Sequence, residues 1–231
     1  MTSLTVTKSN SLIQSSYKLT LNEQRLVLAC IAQLDSRRPL PKDNLFKVNA
    51  DDFAEQYGIE PRHAYEALSD AASSLYQRDI RVFDGKVRER FRWVQHVRYH
   101  AGDGRVELMF STTIAPYLTM LSKQFTSYQL QDVSDLRSNY SIRLYELLMQ
   151  FKKTGHLVVS LADFKEWLQI DEVYHRFSNL KMRVIDPAVA ELQAKSGLTI
   201  AWQGHRNGRT VQRLEFRFTM NGDPPPVVDH G

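Results

Sequence analysis

Cysteine and long apolar runs are almost absent from this sequence of 231 residues. The single cysteine, Cys30, cannot form an internal disulfide, and its apolar neighbours predict a buried thiol rather than a catalytic one. No apolar run approaches the roughly 20 residues that span a bilayer, and the first residues lack the apolar core of a signal peptide. We therefore expect a cytoplasmic protein that has no membrane contact.

Metal-binding motifs are missing as well. The sequence has no Cys/His cluster with the spacing of zinc ligands and no His-x-His pair. We therefore predict neither a bound metal nor a cofactor.

The composition is that of an ordinary globular protein, with 42% hydrophobic and 24% charged residues. The length favours two domains of about 100 residues each. A formal charge of +4 and a pI near 9.1 permit an anionic partner such as nucleic acid without requiring one. The distribution of the basic residues therefore carries more information than their total.

An internal repeat organises the chain. Residues 47–59 (KVNADDFAEQYGI) align with residues 158–170 (VVSLADFKEWLQI) at a constant offset of 111 residues, which pairs Phe53 with Phe164. Around both segments the predicted order is the same: a helix, a short strand, a short helix, a longer helix and a β-hairpin. This order and the repeat indicate a duplicated module.

Three helices that pack with a small sheet and end in a β-hairpin are typical of the winged helix. We therefore predict an α+β fold of two tandem winged-helix domains related by internal duplication. The first domain is expected at residues 1–132 and the second at residues 133–222. Residues 223–231 are proline-rich in their first part and predict a disordered tail.

Five basic residues of the second copy lie where a winged helix contacts DNA. They are Arg176, Lys181 and Arg183 at the start of the long helix, and Arg206 and Arg209 beside a predicted Asn207-Gly208 turn. On a helical projection Asn179 and Arg183 fall on the polar arc, whereas Lys181 falls within the apolar arc. Asn and Arg side chains can bind adenine and guanine edges through two hydrogen bonds, so this arc predicts base contacts.

In the first copy the long helix carries Arg62 and His63 together with acidic residues, so it is a poor phosphate ligand, and the main cations lie in a strand. Arg88, Arg90 and Arg92 occupy alternate positions, so they are predicted to share one face while Val87 and the aromatic residues Phe91 and Trp93 take the other. A row of arginine side chains on one face of a strand is suited to binding the phosphates of a DNA backbone. We predict that the second module reads bases, whereas the first contacts the DNA backbone, a protein partner, or both.

Pro187 interrupts the long helix of the second copy, residues 178–192. We predict a single kinked helix, because a separate helix before the proline would be too short to reach a groove and still anchor in a core. The half before Pro187 is expected to contact DNA. The half after it is expected to pack the domain through Ala188, Val189 and Leu192.

Segments spread over residues 8–219 resemble the plasmid replication initiators of the RepA/RepE type, which bind repeated origin sequences called iterons. They are SNSLIQSSYKLTLNEQRLVLACIAQL near the start, QFTSYQL followed by SNYSIRLYELLMQFKKTG in the middle, and YHRFSNLKMRVIDPAVAEL followed by GRTVQRLEFRF near the end. Taken together, these segments are specific for that family, although no single one would suffice.

The resemblance implies two winged-helix domains, of which the second makes the main iteron contacts and the first supports dimerisation and further backbone contact. It implies Ser178, Asn179, Lys181 and Arg183 as the base-reading residues. It also implies that monomers bind double-stranded DNA at origin iterons, that homodimers bind an inverted operator to repress the initiator's own gene, and that the host replication initiator and the replicative helicase are recruited.

Two other classes of protein are compared with this expectation. A nicking initiator or relaxase would be an enzyme with a tyrosine nucleophile and a metal held by closely spaced histidines, and the sequence has no His-x-His pair. We therefore predict a protein that is not an enzyme. A dimeric winged-helix transcriptional repressor without replication activity would use the same modules and stays open.

Overall fold

The computed structural model describes residues 4–41, 43–83 and 85–220, and the chain divides into two units that meet between Asp135 and Leu136. The domain boundary predicted after residue 132 falls within the last short helix before that point. The predicted tail at 223–231 lies outside the described residues.

The first unit contains six helices and seven strands among its described residues, with short 3₁₀ turns at Ala101–Asp103 and Thr112–Ile114. In chain order they are β1 (Thr5–Ser9), α1 (Asn10–Ile13), α2 (Leu21–Ile31), β2 (Leu45–Asn49), α3 (Ala50–Tyr57), α4 (Pro61–Leu75), β3 (Asp79–Phe83), β4 (Arg88–Arg92), β5 (Val94–His100), β6 (Arg105–Phe110), α5 (Ala115–Leu118), β7 (Phe125–Gln129) and α6 (Gln131–Ser134).

The second unit has the simpler order of one winged helix. Its elements are α7 (Asn139–Met149), β8 (His156–Ser160), α8 (Leu161–Leu168), α9 (Phe177–Leu180), a π-helical turn (Lys181–Ile185), α10 (Asp186–Lys195), β9 (Leu198–Asn207) and β10 (Thr210–Met220). Residues 177–195 are helical throughout, and we call them the long helix.

The repeat predicted from the sequence is present in the structure. β8 begins at His156, which is 111 residues after Leu45 at the start of β2, and α8 follows α3 by the same interval. Both modules form an antiparallel three-stranded sheet in the same order, β2-β6-β5 in the first and β8-β10-β9 in the second. Both short helices end on a left-handed residue, Gly58 at φ 59° and Gln169 at φ 50°. The turn therefore keeps its geometry even where the residue is not glycine.

A capping box marks the start of α2, and aromatic and apolar side chains at equivalent positions form the cores of the two modules. Thr20 caps α2 in a capping box, in which its backbone N–H donates to Glu23 at 2.7 Å and Glu23 N–H donates to the Thr20 hydroxyl. The aligned residues Phe53 and Phe164 are each 1% exposed and pack the two cores. Cys30 is fully buried, as predicted, and burial raises the pKa of its thiol.

The first module differs from the second by an inserted hairpin. β3 and β4 form a two-stranded sheet of their own, and the strands that correspond to the wing are β5 and β6. Arg88, Arg90 and Arg92 therefore lie on the inserted hairpin and not on the strands that correspond to the wing. Phe91 is buried as predicted, but Val87 is 61% exposed because it precedes β4.

The long helix is continuous across Pro187, as predicted, and the turn that precedes the proline is π-helical. Ala188, Val189 and Leu192 are buried, and so are residues 180, 184 and 185 before the proline. Both halves therefore pack the domain, whereas a packing role was predicted for the second half alone. A π turn holds one residue more than an α turn, which suits a position where the proline cannot donate to the helix.

Candidate DNA-binding surface

An open cleft of about 810 Å³ lies between the start of the long helix and the β9–β10 hairpin. Its basic lining residues are Lys165, His175, Arg176, Lys181, Arg206 and Arg209. No carboxylate is among the described residues that line it. A cleft with cations on both walls and no acidic side chain is suited to a polyanion, because its positive charges add up over a short distance.

The structure brings five of the predicted site residues together in this cleft. They are Arg176, Ser178, Lys181, Arg206 and Arg209. Asn179 and Arg183 are exposed on the same helical segment but outside the lining of the cleft. Asn207 is the last residue of β9 and pairs with Thr210, so the two-residue turn is Gly208–Arg209 and not the predicted Asn207-Gly208. Glycine with φ 62° then takes the first turn position, where a positive φ is required.

Lys181 is held in a fixed position and does not point into the core. Its Nζ donates to Asp186 at 2.6 Å and lies 5.0 Å from the centre of the Trp202 ring, which stacks on Phe216. The predicted place of Lys181 in the apolar arc is wrong because the π turn rotates the core positions relative to it. Lys181 therefore faces the cleft with its charge already shared with one carboxylate.

The side chain of Arg183 is exposed and forms no ion pair with any residue that the structure describes. Arg176, Arg206 and Arg209 resemble it in this respect. Guanidinium groups without a protein partner keep all five donors for an external acceptor. These four arginines are therefore the strongest candidates for contacts to phosphate or base edges.

Gly204 sets how closely the hairpin approaches the long helix. A Cβ at this position would lie 3.0 Å from Val211 Cγ1 and 3.2 Å from Phe177 Cζ, closer than ordinary van der Waals contact. Phe177 is the first residue of the long helix and also packs against Trp202. The absence of a side chain at Gly204 therefore helps to fix the width of the cleft.

Two of the basic residues that line the cleft were not predicted from the sequence. Lys165 lies in α8 and its Nζ donates to the carbonyl of Tyr174 at 2.8 Å, while His175 precedes the long helix. The link between Lys165 and the Tyr174 carbonyl ties α8 to the segment that enters the long helix. No local pattern marks them, because they meet the hairpin arginines only through the packing of distant segments.

The arginines of the inserted hairpin are largely engaged within the protein. Arg90 forms an ion pair with Asp79, and Arg92 Nε lies 3.4 Å from the same carboxylate. Arg88 lies over the ring of Phe83 at 5.5 Å. The carboxylate of Asp79 therefore offsets part of the positive charge of Arg90 and Arg92. Of the three arginines, only Arg88 does not pair with Asp79.

A buried carboxylate anchors the sheet of the second module. Glu215 in β10 accepts hydrogen bonds from Gln203 at 3.0 Å and Arg217 at 2.8 Å, and it also contacts His205 and His156. The hydrogen bond from Gln203, followed by those from Arg217 and the two histidines, holds the pKa of Glu215 well below its usual range. Since His205 directly precedes Arg206, this network supports one wall of the cleft.

The described residues offer neither a metal site nor a membrane-spanning helix. The described residues contain no group of three or more His, Cys, Asp or Glu side chains that could hold a metal ion. None of the helices formed by residues 4–41, 43–83 and 85–220 has the length and apolar character needed to cross a membrane.

Comparison with known proteins agrees with this architecture. Residues 5–149 match the family model described as "Initiator Replication protein, WH1", and residues 160–218 match "Initiator Rep protein, WH2". A replication initiation protein of Escherichia coli is 30% identical over 230 residues, which cover 96% of this chain and 71% of the relative. The PI protein of Escherichia coli is 27% identical, with coverage of 93% and 82% respectively.

A solved structure has the same fold. The crystal structure of Pi initiator protein in complex with iteron DNA superposes with a TM-score of 0.81 at 24% identity, and the match covers 96% of this chain and 100% of that one. The fold is thus that of two winged-helix domains, as predicted. The family models together match most of the chain, and with these relatives they show that it belongs to the initiator replication protein family.

Proposed function

We propose that the chain is a plasmid replication initiator that binds the iterons of its origin through the second unit. The observation that carries the proposal is the cleft between the long helix and the hairpin, which has basic side chains on both walls and no carboxylate among its described lining residues. The Pi initiator protein, whose crystal structure is of a complex with iteron DNA, has the same two-domain fold, which supports this choice of ligand. Membership of the initiator family supports the role in replication.

In the proposed complex the long helix enters the major groove and the hairpin follows the flanking backbone. Asn179 and Arg183, which are exposed on the long helix, contact base edges. Arg206 and Arg209, at the end of the hairpin, contact phosphates and so set the orientation of the module on the duplex. The protein acts by binding and has no covalent chemistry of its own.

The first unit is proposed to add backbone contacts and to form the homodimer. Its inserted hairpin keeps Arg88 available for a phosphate, while Asp79 reduces the contribution of Arg90. Monomers would bind iterons, and dimers would bind an inverted operator and repress the initiator's own gene. This switch is what the resemblance to the RepA/RepE type implies.

Initiation is proposed to proceed by deformation of the origin. Iterons spaced by whole helical turns place successive monomers on one face of the duplex, where they bend it and help an adjacent A·T-rich segment to melt. The host replication initiator and the replicative helicase would then be recruited to the open segment.

Footprinting of the full chain on the DNA that flanks its gene tests the proposal. Protection of tandem direct repeats, combined with replication of a plasmid that carries them only when the chain is supplied, is the expected result. Protection of a single inverted repeat without any support of replication would identify a dimeric repressor instead. No protected sequence at all would refute the DNA-binding assignment.

A further inference from the structure

Among residues 177–186 of the long helix, Met182 is the one exposed side chain that is apolar. It lies in the π turn between Lys181 and Arg183, and 59% of it is exposed. It follows Ser178 by four residues, which places the two on the same face of the helix one turn apart. Ser178 lines the cleft, whereas Met182 lies outside that lining, one turn further along the helix and next to the exposed Arg183.

The core of the module does not need this methionine. The long helix buries Leu180, Val184 and Ile185 to 1% exposure or less, and these residues supply the apolar contacts of the same two turns. A methionine that is more than half exposed gains little from packing, because most of its apolar surface still faces water. Its position in a π turn is also notable, since such turns occur often at functional sites.

The chemistry of the major groove leaves one apolar group for such a side chain. Base edges there present hydrogen-bond donors and acceptors, with the C5-methyl group of thymine as the exception. A thioether that faced a polar base edge would displace water from it without replacing the hydrogen bonds. The flexible, polarisable side chain of methionine can instead adapt its shape to a methyl group.

We propose that Met182 contacts the C5-methyl group of one thymine and thereby selects a T·A pair at that position of the binding site. The inference rests on the proposed function, because it requires the long helix to lie in the major groove. Within that complex Arg183 and Lys181 provide the charged contacts on either side, and Met182 provides the apolar one between them.

The test removes the methyl group from the DNA and the thioether from the protein, separately and together. The full chain first selects a specific duplex from a random-sequence library, and each thymine of that duplex is then replaced singly by deoxyuridine. We expect deoxyuridine at one position to weaken binding about fourfold, equivalent to about 0.8 kcal/mol for one methyl group. The variant Met182→Ala should bind the unmodified duplex about fourfold more weakly and lose nothing further at that position.

Met220→Ala is the matched control, since Met220 is also exposed, at 41%, and lies at the end of β10 away from the hairpin turn. This variant should give the deoxyuridine profile of the unaltered chain. Unchanged binding of Met182→Ala to random DNA would show that the folded surface is intact.

An identical deoxyuridine profile for Met182→Ala and the unaltered chain would overturn the inference while leaving the proposed function standing. Failure of the full chain to select any duplex would instead refute the proposed function, and the role of Met182 with it.

Discussion

Replacing Arg183 by alanine should separate sequence-specific binding from general attraction to DNA. The side chain is exposed and has no ion-pair partner among residues 4–41, 43–83 and 85–220, so its loss should change the free energy of unfolding by no more than about 0.5 kcal/mol. A bidentate arginine–guanine contact is worth about 1–3 kcal/mol of discrimination. Binding to the specific duplex should therefore weaken about 5- to 150-fold, whereas random DNA loses at most one cationic contact.

Fluorescence anisotropy on specific and random duplexes over a range of salt concentrations measures both effects. Arg183→Lys keeps the charge without the planar fork, so it should restore binding to random DNA but not the preference for the specific site. Lys153→Ala is the control, because Lys153 is an exposed cation in the turn before β8, at the end of the sheet away from the hairpin turn. An equal loss on specific and random DNA for Arg183→Ala would refute the base-reading role.

Three further predictions concern the geometry and charge around the two modules. Gly204→Ala should weaken binding to both kinds of duplex, because the new Cβ pushes apart the long helix and the hairpin; binding at the unaltered level would show that this spacing is unimportant. Arg88→Ala should lower the slope of log affinity against log salt by about one unit, and Arg90→Ala by less, since Asp79 already pairs with Arg90. Equal slopes for these two variants would contradict that reasoning. For Glu215 the pKa is lowered on folding, so the carboxylate stabilises the fold above its ordinary pKa of 4.5 and this stability is lost as the pH falls. Urea unfolding at neutral and acidic pH should therefore show a smaller acid-induced loss for Glu215→Gln, and a loss equal to that of the unaltered chain would disprove the coupling.

Local sequence signals were enough for much of the fold. The repeat offset appears in the structure as predicted, and the capping box at Thr20 and the left-handed Gly58 follow the local rules for helix ends. Each depends on residues within one or two turns of one another, or on a pattern that the chain carries twice. The side chains involved therefore meet whatever the rest of the chain does.

The errors arose where a local rule competed with packing or strand register. Lys181 was predicted on the apolar face but faces the cleft, because a π turn, and not an ideal α-helical turn, precedes Pro187. Arg90 and Arg92 were predicted to be available to phosphates, but the pairing of β3 with β4 places Asp79 beside them, where it forms ion pairs with both. Neither the type of helical turn nor the register of a hairpin can be read from spacing alone.

For the candidate site, too, some features could be predicted from the sequence and others were decided only by tertiary packing. The sequence specified that basic residues lie both at the start of the long helix and near the hairpin turn of the second module, and that the module occurs twice. The tertiary structure determined that Lys165 and His175 join the arginines in one cleft, and that Trp202 and Asp186 hold Lys181 at its edge. Periodicity records contacts between near neighbours along the chain, whereas a cleft is made by side chains from distant segments, and their distances are set only when the helices and the sheet pack together.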